Sequence, residues 1–177
     1  MRIFIALPID NQMQRQIIAL QSKLAALSNG GRFVPSENFH VTMHFIGESD
    51  RIDEATLALK EAVRGIHPFT LGLNEYGYFS RGAGKTAFVS LRGDIDALNR
   101  LHESLEAALE AHGFGRDSRP LKAHITLARD VIHSDAVTHA LRQEQLDAHF
   151  VTNTIVLYRS KRVRERMVYT PLHTEKI

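Results

Sequence analysis

The chain has 177 residues, 44% of them hydrophobic, with a formal net charge of +2 and no cysteine. That hydrophobic share supports a substantial core and excludes a disordered chain, and the length suits a single two-lobed domain over residues 1–177. No apolar run reaches the roughly 18–20 residues that span a bilayer, the missing cysteines exclude disulfide and thiolate chemistry, and the small net charge excludes a bulk nucleic-acid coat.

Residues 2–7 read as a strand, too short and too soon broken by Pro8 to be a secretion signal, and the chain is expected in the cytoplasm. Asp10 can cap a helix whose apolar stripe is Met13, Ile17, Leu20, Leu24 and Leu27, and Asn29-Gly30-Gly31 stops it. A loop through Pro35 leads to a strand at residues 38–47. Ser49 or Asp50 is expected to cap a second helix to about residue 64, ended by Gly65 and Pro68. Another strand covers residues 69–79 and a turn residues 81–84. The order then repeats. A strand at 86–91 is followed by a helix capped by Asp94, with Ile95, Leu98, Leu101, Leu105 and Leu109 as its stripe. A strand at 122–129, a helix capped by Ser134 and running to about 146, a strand at 150–158 and a last strand at 167–172 complete the chain.

The repeat keeps register. Phe4 and Phe88, Leu7 and Leu91, Asp10 and Asp94, and His40 and His124 are each 84 positions apart. A strand–helix–strand–helix–strand unit is therefore expected twice, at about residues 2–79 and 86–160.

Two stretches stand out within it. In Asn38-Phe39-His40-Val41-Thr42-Met43-His44-Phe45-Ile46-Gly47, apolar and polar residues alternate as on a half-buried strand. Alternation puts His40, Thr42 and His44 on one face and Phe39, Val41, Met43 and Phe45 on the other. In Lys122-Ala123-His124-Ile125-Thr126-Leu127-Ala128-Arg129, His124 and Thr126 share a face. One His-x-Thr is a weak signal, but two on strand-like runs in matching register are a strong one. The ordinary reading of the other histidines, His67, His102, His112, His133, His139, His149 and His173, is core or surface packing.

Two imidazoles across a cleft can move protons both ways, because histidine gains and loses a proton near neutral pH. A neutral one can take a proton from water while a charged one protonates a leaving oxygen. Phosphodiester hydrolysis needs that pairing, and it needs donors for the nonbridging oxygens, which Thr42 and Thr126 could supply.

With these residues the chain resembles the two-histidine phosphoesterases, specifically the RNA 2′,3′-cyclic phosphodiesterases, also called 2′-5′ RNA ligases. The matching stretches are Arg2-Ile3-Phe4-Ile5-Ala6-Leu7, His40-Val41-Thr42-Met43 with Phe45-Ile46-Gly47, Arg119-Pro120 ahead of His124-Ile125-Thr126-Leu127-Ala128-Arg129, and Leu157-Tyr158-Arg159-Ser160 with Tyr169-Thr170-Pro171-Leu172. The resemblance implies an α+β fold of two pseudo-symmetric βαβαβ lobes with mostly antiparallel sheets around a central cleft. It implies metal-independent hydrolysis of RNA 2′,3′-cyclic phosphate ends to 2′-phosphomonoesters, with weak reverse 2′-5′ ligation, and no cofactor. The expected partner is an RNA end, tRNA fragments included, and the expected state a monomer. His40 maps to the proton donor, His124 to the proton acceptor, and Arg129 to a phosphate contact. Strict alternation puts Arg129 opposite His124, so a twist or the strand's end must re-aim it. His44 and Lys122-Ala123 depart from the usual pattern; His44 could tune His40, touch substrate, or do neither.

Three rival readings differ in chemistry. His40, His44 and His124 could be three metal ligands, although neither motif holds a carboxylate. A non-catalytic RNA-end-binding protein could use basic residues with Phe45, Tyr76, Tyr78 and Phe79. An enzyme for small cyclic phosphates or nucleotides would use the same histidines. The basic run Arg159-Ser160-Lys161-Arg162-Val163-Arg164-Glu165-Arg166 and the group Arg116, Arg119, Lys122 and Arg129 around the second His read most simply, residue by residue, as solvated faces.

Overall fold

Runs of β-branched and aromatic residues at the start of each half of the chain seed two antiparallel sheets. The computed structural model describes residues 1–177. The first sheet has the order β3 (His40–Glu48), β1 (Arg2–Pro8), β8 (Thr154–Val163), β9 (Arg166–Lys176). The second has the order β2 (Arg32–Phe33), β6 (His124–Val131), β5 (Gly84–Gly93), β4 (Phe69–Arg81), β7 (His149–Thr152). The helices are α1 (Asn11–Leu27), α2 (Ile52–Ala62), α3 (Ile95–Ala111) and α4 (Asp135–Arg142). The architecture is the expected α+β fold with antiparallel sheets.

The two halves exchange parts. β4 ends the first half but pairs with β5, and β8 ends the second half but pairs with β1. The helices cross over as well. α1 packs on α4 and on β7 and β6, whereas α3 packs on α2 and bonds to β3. Each lobe is thus completed by the other half of the chain, so neither half can bury its apolar faces alone. One core follows, running from Ile3, Ile5 and Leu7 through Leu98, Leu101 and Leu105 to Ile125 and Leu127. Full burial of each such side chain contributes about 1.5–3 kcal/mol.

Local details correct the sequence expectations. Asp10 caps α1, accepting from the Met13 amide at 2.9 Å, and Ser134 caps α4 by accepting from Val137 at 3.4 Å. The residue at the cap of α2, however, is Arg51, and no side chain caps that helix; the Ser49 hydroxyl accepts from the Arg51 amide at 3.2 Å. Asp94 stands at the start of α3, but its carboxylate accepts from Thr70 on β4 at 2.9 Å, tying helix to strand. α4 stops at Arg142, short of residue 146, and Leu27 is exposed. The expected strand at 150–158 is two strands. Phe150 and Thr152 are buried in one phase and Ile155 and Leu157 in the other, so the alternation slips at Asn153, where the chain leaves one sheet for the other.

The two histidine strands carry bulges at matching places. Ile5 pairs with His44 but Ala6 with Thr42, which leaves Met43 without a partner on β1. Ala87 pairs with Ala128 but Phe88 with Thr126, which leaves Leu127 unpaired in the same way. An extra residue flips the alternation beyond it. The consequences fall on the site.

Candidate active site

β3 is an edge of the first sheet, and β2 pairs only with the far end of β6, at Ala128 and Arg129. The His124 end of β6 is therefore free to face β3 across the groove between the sheets. Before the bulges, alternation holds. Val41 and Ile125 enter the core, while His40, Thr42, His124 and Thr126 stand half-buried on the groove side.

The two rings are oriented alike. His40 Nδ1 donates to the carbonyl of Asn38 at 2.7 Å, and His124 Nδ1 donates to the carbonyl of Lys122 at 2.5 Å. A carbonyl oxygen only accepts, so Nδ1 carries a proton in both rings and Nε2 is left for chemistry. His40 Nε2 lies 2.9 Å from Thr42 Oγ1, whereas His124 Nε2 makes no bond within the chain. Asn38 is itself buried and donates from Nδ2 to the Met167 carbonyl at 2.7 Å, which joins the His40 support to β9.

Aromatic rings wall each histidine. Phe4 lies 5.1 Å from the His40 ring and Tyr169 5.4 Å, with Tyr158 stacked on Phe4 at 5.3 Å. Phe88 and Phe79 each lie 5.3 Å from the His124 ring. Burial among these rings lowers the pKa of both histidines, since a charged imidazole loses hydration there. The carbonyl bonds oppose the shift; for His40 the charges of His124 and Arg129 add to it, and for His124 that of Arg129. The two imidazoles are thus close enough for charge on His124 to act on His40. Burial also raises the pKa of Tyr158 and Tyr169, keeping both hydroxyls protonated.

The bulges decide three further residues. His44, expected beside His40, turns to the helix side, where it is 8% exposed and Nδ1 donates to Glu106 on α3 at 2.5 Å. It can neither touch substrate nor join His40 and His124 as a third metal ligand. Phe45, expected in the core, turns to the groove and is 60% exposed, its ring 5.8 Å from Phe4. Arg129 gains the groove side by the matching bulge at Leu127. Its charge reaches both histidines and Tyr169, which resolves the re-aiming that alternation demanded.

Glu106 is a buried carboxylate that nothing in the residue pattern singles out. Besides His44, its Oε1 lies 3.4 Å from His102, and its Oε2 accepts from the Asp117 amide at 2.8 Å. These contacts offset the cost of burying the carboxylate. They also tie β3 to the loop that leads into β6. The aromatic wall was partly foreseeable: Phe4 and Phe88 share the 84-residue register, but nothing in that register says that each lies against a histidine. Tyr76, considered above as a base contact, is fully buried and donates its hydroxyl to His133 Nε2 at 2.7 Å.

A cavity of about 560 Å³ lies elsewhere, where the α2–β4 connection meets the start of α3. His67, Asp94, Asp96 and Arg100 are its ionisable lining, and none of the residues in the two His-x-Thr stretches reaches it. The groove between β3 and β6 is the place with paired proton carriers and a free guanidinium.

The chain is similar to proteins of a known family. A family model described as the 2′-5′ RNA ligase superfamily matches residues 9–164. The chain is 32% identical over 137 residues to an RNA 2′,3′-cyclic phosphodiesterase of Thermotoga maritima, covering 76% of this chain and 73% of that one. It is 29% identical over 171 residues to the Escherichia coli protein of the same name, covering 97% and 93%. Among solved structures, E. coli LigT complexed with 3′-AMP superposes with a TM-score of 0.78 at 27% identity, covering 99% of this chain and 97% of that chain.

Proposed function

The chain belongs to the 2′-5′ RNA ligase superfamily, and from that premise we propose that it hydrolyses 2′,3′-cyclic phosphate ends of RNA to 2′-phosphomonoesters. Relatives named for that activity support the class of reaction. The observation that carries the mechanism is the matched pair of groove-facing imidazoles, each with Nδ1 tied to a backbone carbonyl.

The steps follow from those ring orientations. Neutral His124 accepts a proton at Nε2 from a water that attacks phosphorus. Protonated His40 gives its Nε2 proton to the departing 3′ oxygen, and the phosphate stays on the 2′ oxygen. Each turnover moves one proton onto His124 and one off His40, and exchange with solvent resets the pair. Thr42 has a switchable part. While His40 is neutral, the Thr42 hydroxyl donates to Nε2; once Nε2 is protonated, that nitrogen donates to Thr42 Oγ1. The hydroxyl hydrogen is then free for a nonbridging phosphate oxygen. Thr126 and Arg129 serve the same oxygens from the other strand, where charge builds in the transition state. With a 5′ hydroxyl in place of water, the same two proton moves join it to the phosphate in a 2′-5′ linkage and release the 3′ oxygen, but water at its bulk concentration keeps hydrolysis ahead. Every proton move uses a side chain of this chain, so turnover is expected to survive excess chelator.

The test is incubation of the protein with a short RNA carrying a 2′,3′-cyclic end, with and without chelator, followed by identification of the phosphate position. A 2′-phosphate formed equally in both is expected. A 3′-phosphate product, or activity abolished by the chelator, refutes the assignment.

A further inference from the structure

The β8–β9 hairpin is an extension of the groove wall that the mechanism leaves unused. Its outer rungs are Ser160 with Tyr169, Lys161 with Val168, Arg162 with Met167 and Val163 with Arg166, and no bulge interrupts them beyond Tyr158. Alternation from Tyr158, which stacks on Phe4, therefore keeps Ser160 and Arg162 on the groove side. Arg162 stands about 13 Å along the strand from Tyr158. Lys161 and Arg166 fall on the opposite face.

Two observations set this hairpin apart. Between residues 159 and 166 it holds Arg159, Lys161, Arg162, Arg164 and Arg166 against a single acid, Glu165, and none of the five cations makes an ion pair. Elsewhere Arg32, Arg51, Arg116 and Arg119 are paired with carboxylates; other arginines such as Arg15, Arg64 and Arg81 are unpaired too, but they stand apart along the chain, so what is particular to the hairpin is the density of unpaired cations within eight residues. The turn is also built against its own preference. Arg164 and Glu165 have φ of 45° and 67°, the left-handed region that a two-residue hairpin turn fills best with Asn or Gly. A local rule broken at an exposed tip suggests that charge, not turn stability, set the sequence there.

We infer that the groove face and tip of this hairpin, with Arg162 on the face and Arg164 at the turn, beyond Arg129 and Arg2, are a backbone subsite for single-stranded RNA on the 5′ side of the reacting end. The subsite rests on the reading above for its reaction but adds a binding surface of its own. Unpaired guanidinium groups neutralise phosphates without reading bases, and they release counterions as they do so. Arg2 and Arg129 already flank Tyr169, since both charges act on its hydroxyl. Tyr169 in turn pairs with Ser160, two residues before Arg162 on the same face of the strand.

The experiment uses the full chain, a ten-nucleotide RNA with a 2′,3′-cyclic end, and a mononucleoside 2′,3′-cyclic phosphate. Arg162→Gln with Arg164→Gln is expected to raise KM for the RNA about tenfold with kcat unchanged, and to leave the mononucleotide rate alone. The dependence of log(kcat/KM) on log[salt] is expected to flatten by about 1.4 for the RNA, from about 0.7 per single-strand phosphate lost. Lys161→Gln with Arg166→Gln, on the other face, is expected to change little. Equal effects on both substrates, equal effects from both faces, or an unchanged KM for RNA would overturn the subsite. If the wild-type protein turns over neither substrate, the proposed reaction fails. In that case, the affinity of wild type and variant for the same RNA bearing a 3′-phosphate still decides the subsite, a loss supporting it and equality refuting it.

Discussion

The two half-sites share a backbone plan but differ in the side chains they turn to the groove. In each, a histidine donates from Nδ1 to a carbonyl two residues earlier, a threonine follows on the same face, and a bulge comes one residue later. Beyond the bulge they part. The β3 side sends Phe45 to the groove and His44 inward to Glu106; the β6 side sends Arg129 to the groove and the small Ala128 inward. The β3 half is thus lined by apolar rings and the β6 half by charge. A repeated backbone supplies symmetry of position, while the residues just past each bulge supply asymmetry of role.

The largest expected effect comes from removing either imidazole. His40→Ala and His124→Ala should each lower kcat about 10²–10⁴-fold. The comparison sharpens with a substrate whose leaving group needs no proton, such as a nitrophenyl phosphodiester. The defect of His40→Ala should shrink markedly on it, and that of His124→Ala should persist. Equal behaviour of the two variants would show that the donor and acceptor roles are not divided in this way.

Past the bulges, Arg129→Ala is expected to cost about 10² in kcat, as the loss of a donor to developing charge does. Phe45→Ala should chiefly raise KM, by about tenfold, if the ring stacks on a base. Kinetics in which Phe45 governs kcat and Arg129 only KM would reverse the contrast drawn here.

Glu106→Ala breaks a buried network and should destabilise the fold by about 3 kcal/mol, read as a lowered midpoint in denaturant. Glu106→Gln keeps the shape and should cost less, with His44 and the Asp117 amide still partly satisfied. A variant as stable as wild type would mean that the network does not bind β3 to the loop before β6.

The smallest effect is on pH dependence. Burial lowers both histidine pKa values, so the bell for kcat/KM should lie to the acid side of histidine's usual value of about 6.5. A bound phosphodiester anion favours the charged imidazole and raises both, so the bell for kcat should sit at higher pH than the bell for kcat/KM. Coinciding bells would contradict the burial argument.

Much of this was legible in the residues alone. The paired His-x-Thr stretches named two strands that do face one groove, the helix stripes named most of the core, and Asp10 and Ser134 named real caps. Other features were not. Asp94 reads as a cap, yet its carboxylate is drawn to Thr70 because β4 runs beside it. The stretch from 150 to 158 reads as one strand, because alternation is silent about which sheet each end joins. His44 reads as a neighbour of His40, because counting by twos has no term for an extra residue. That same miscount placed Arg129 on the wrong face and Phe45 in the core.

The amino-acid sequence by itself determined the two His-x-Thr stretches and the strands on which they stand, since residue type and period-two spacing are local properties. Only the tertiary structure decided that the halves exchange strands and helices, that β3 and β6 meet across a groove, and which residues beyond each bulge face it. Those outcomes depend on pairing between segments far apart in the chain, where register is set by the partner strand and not by the strand's own pattern.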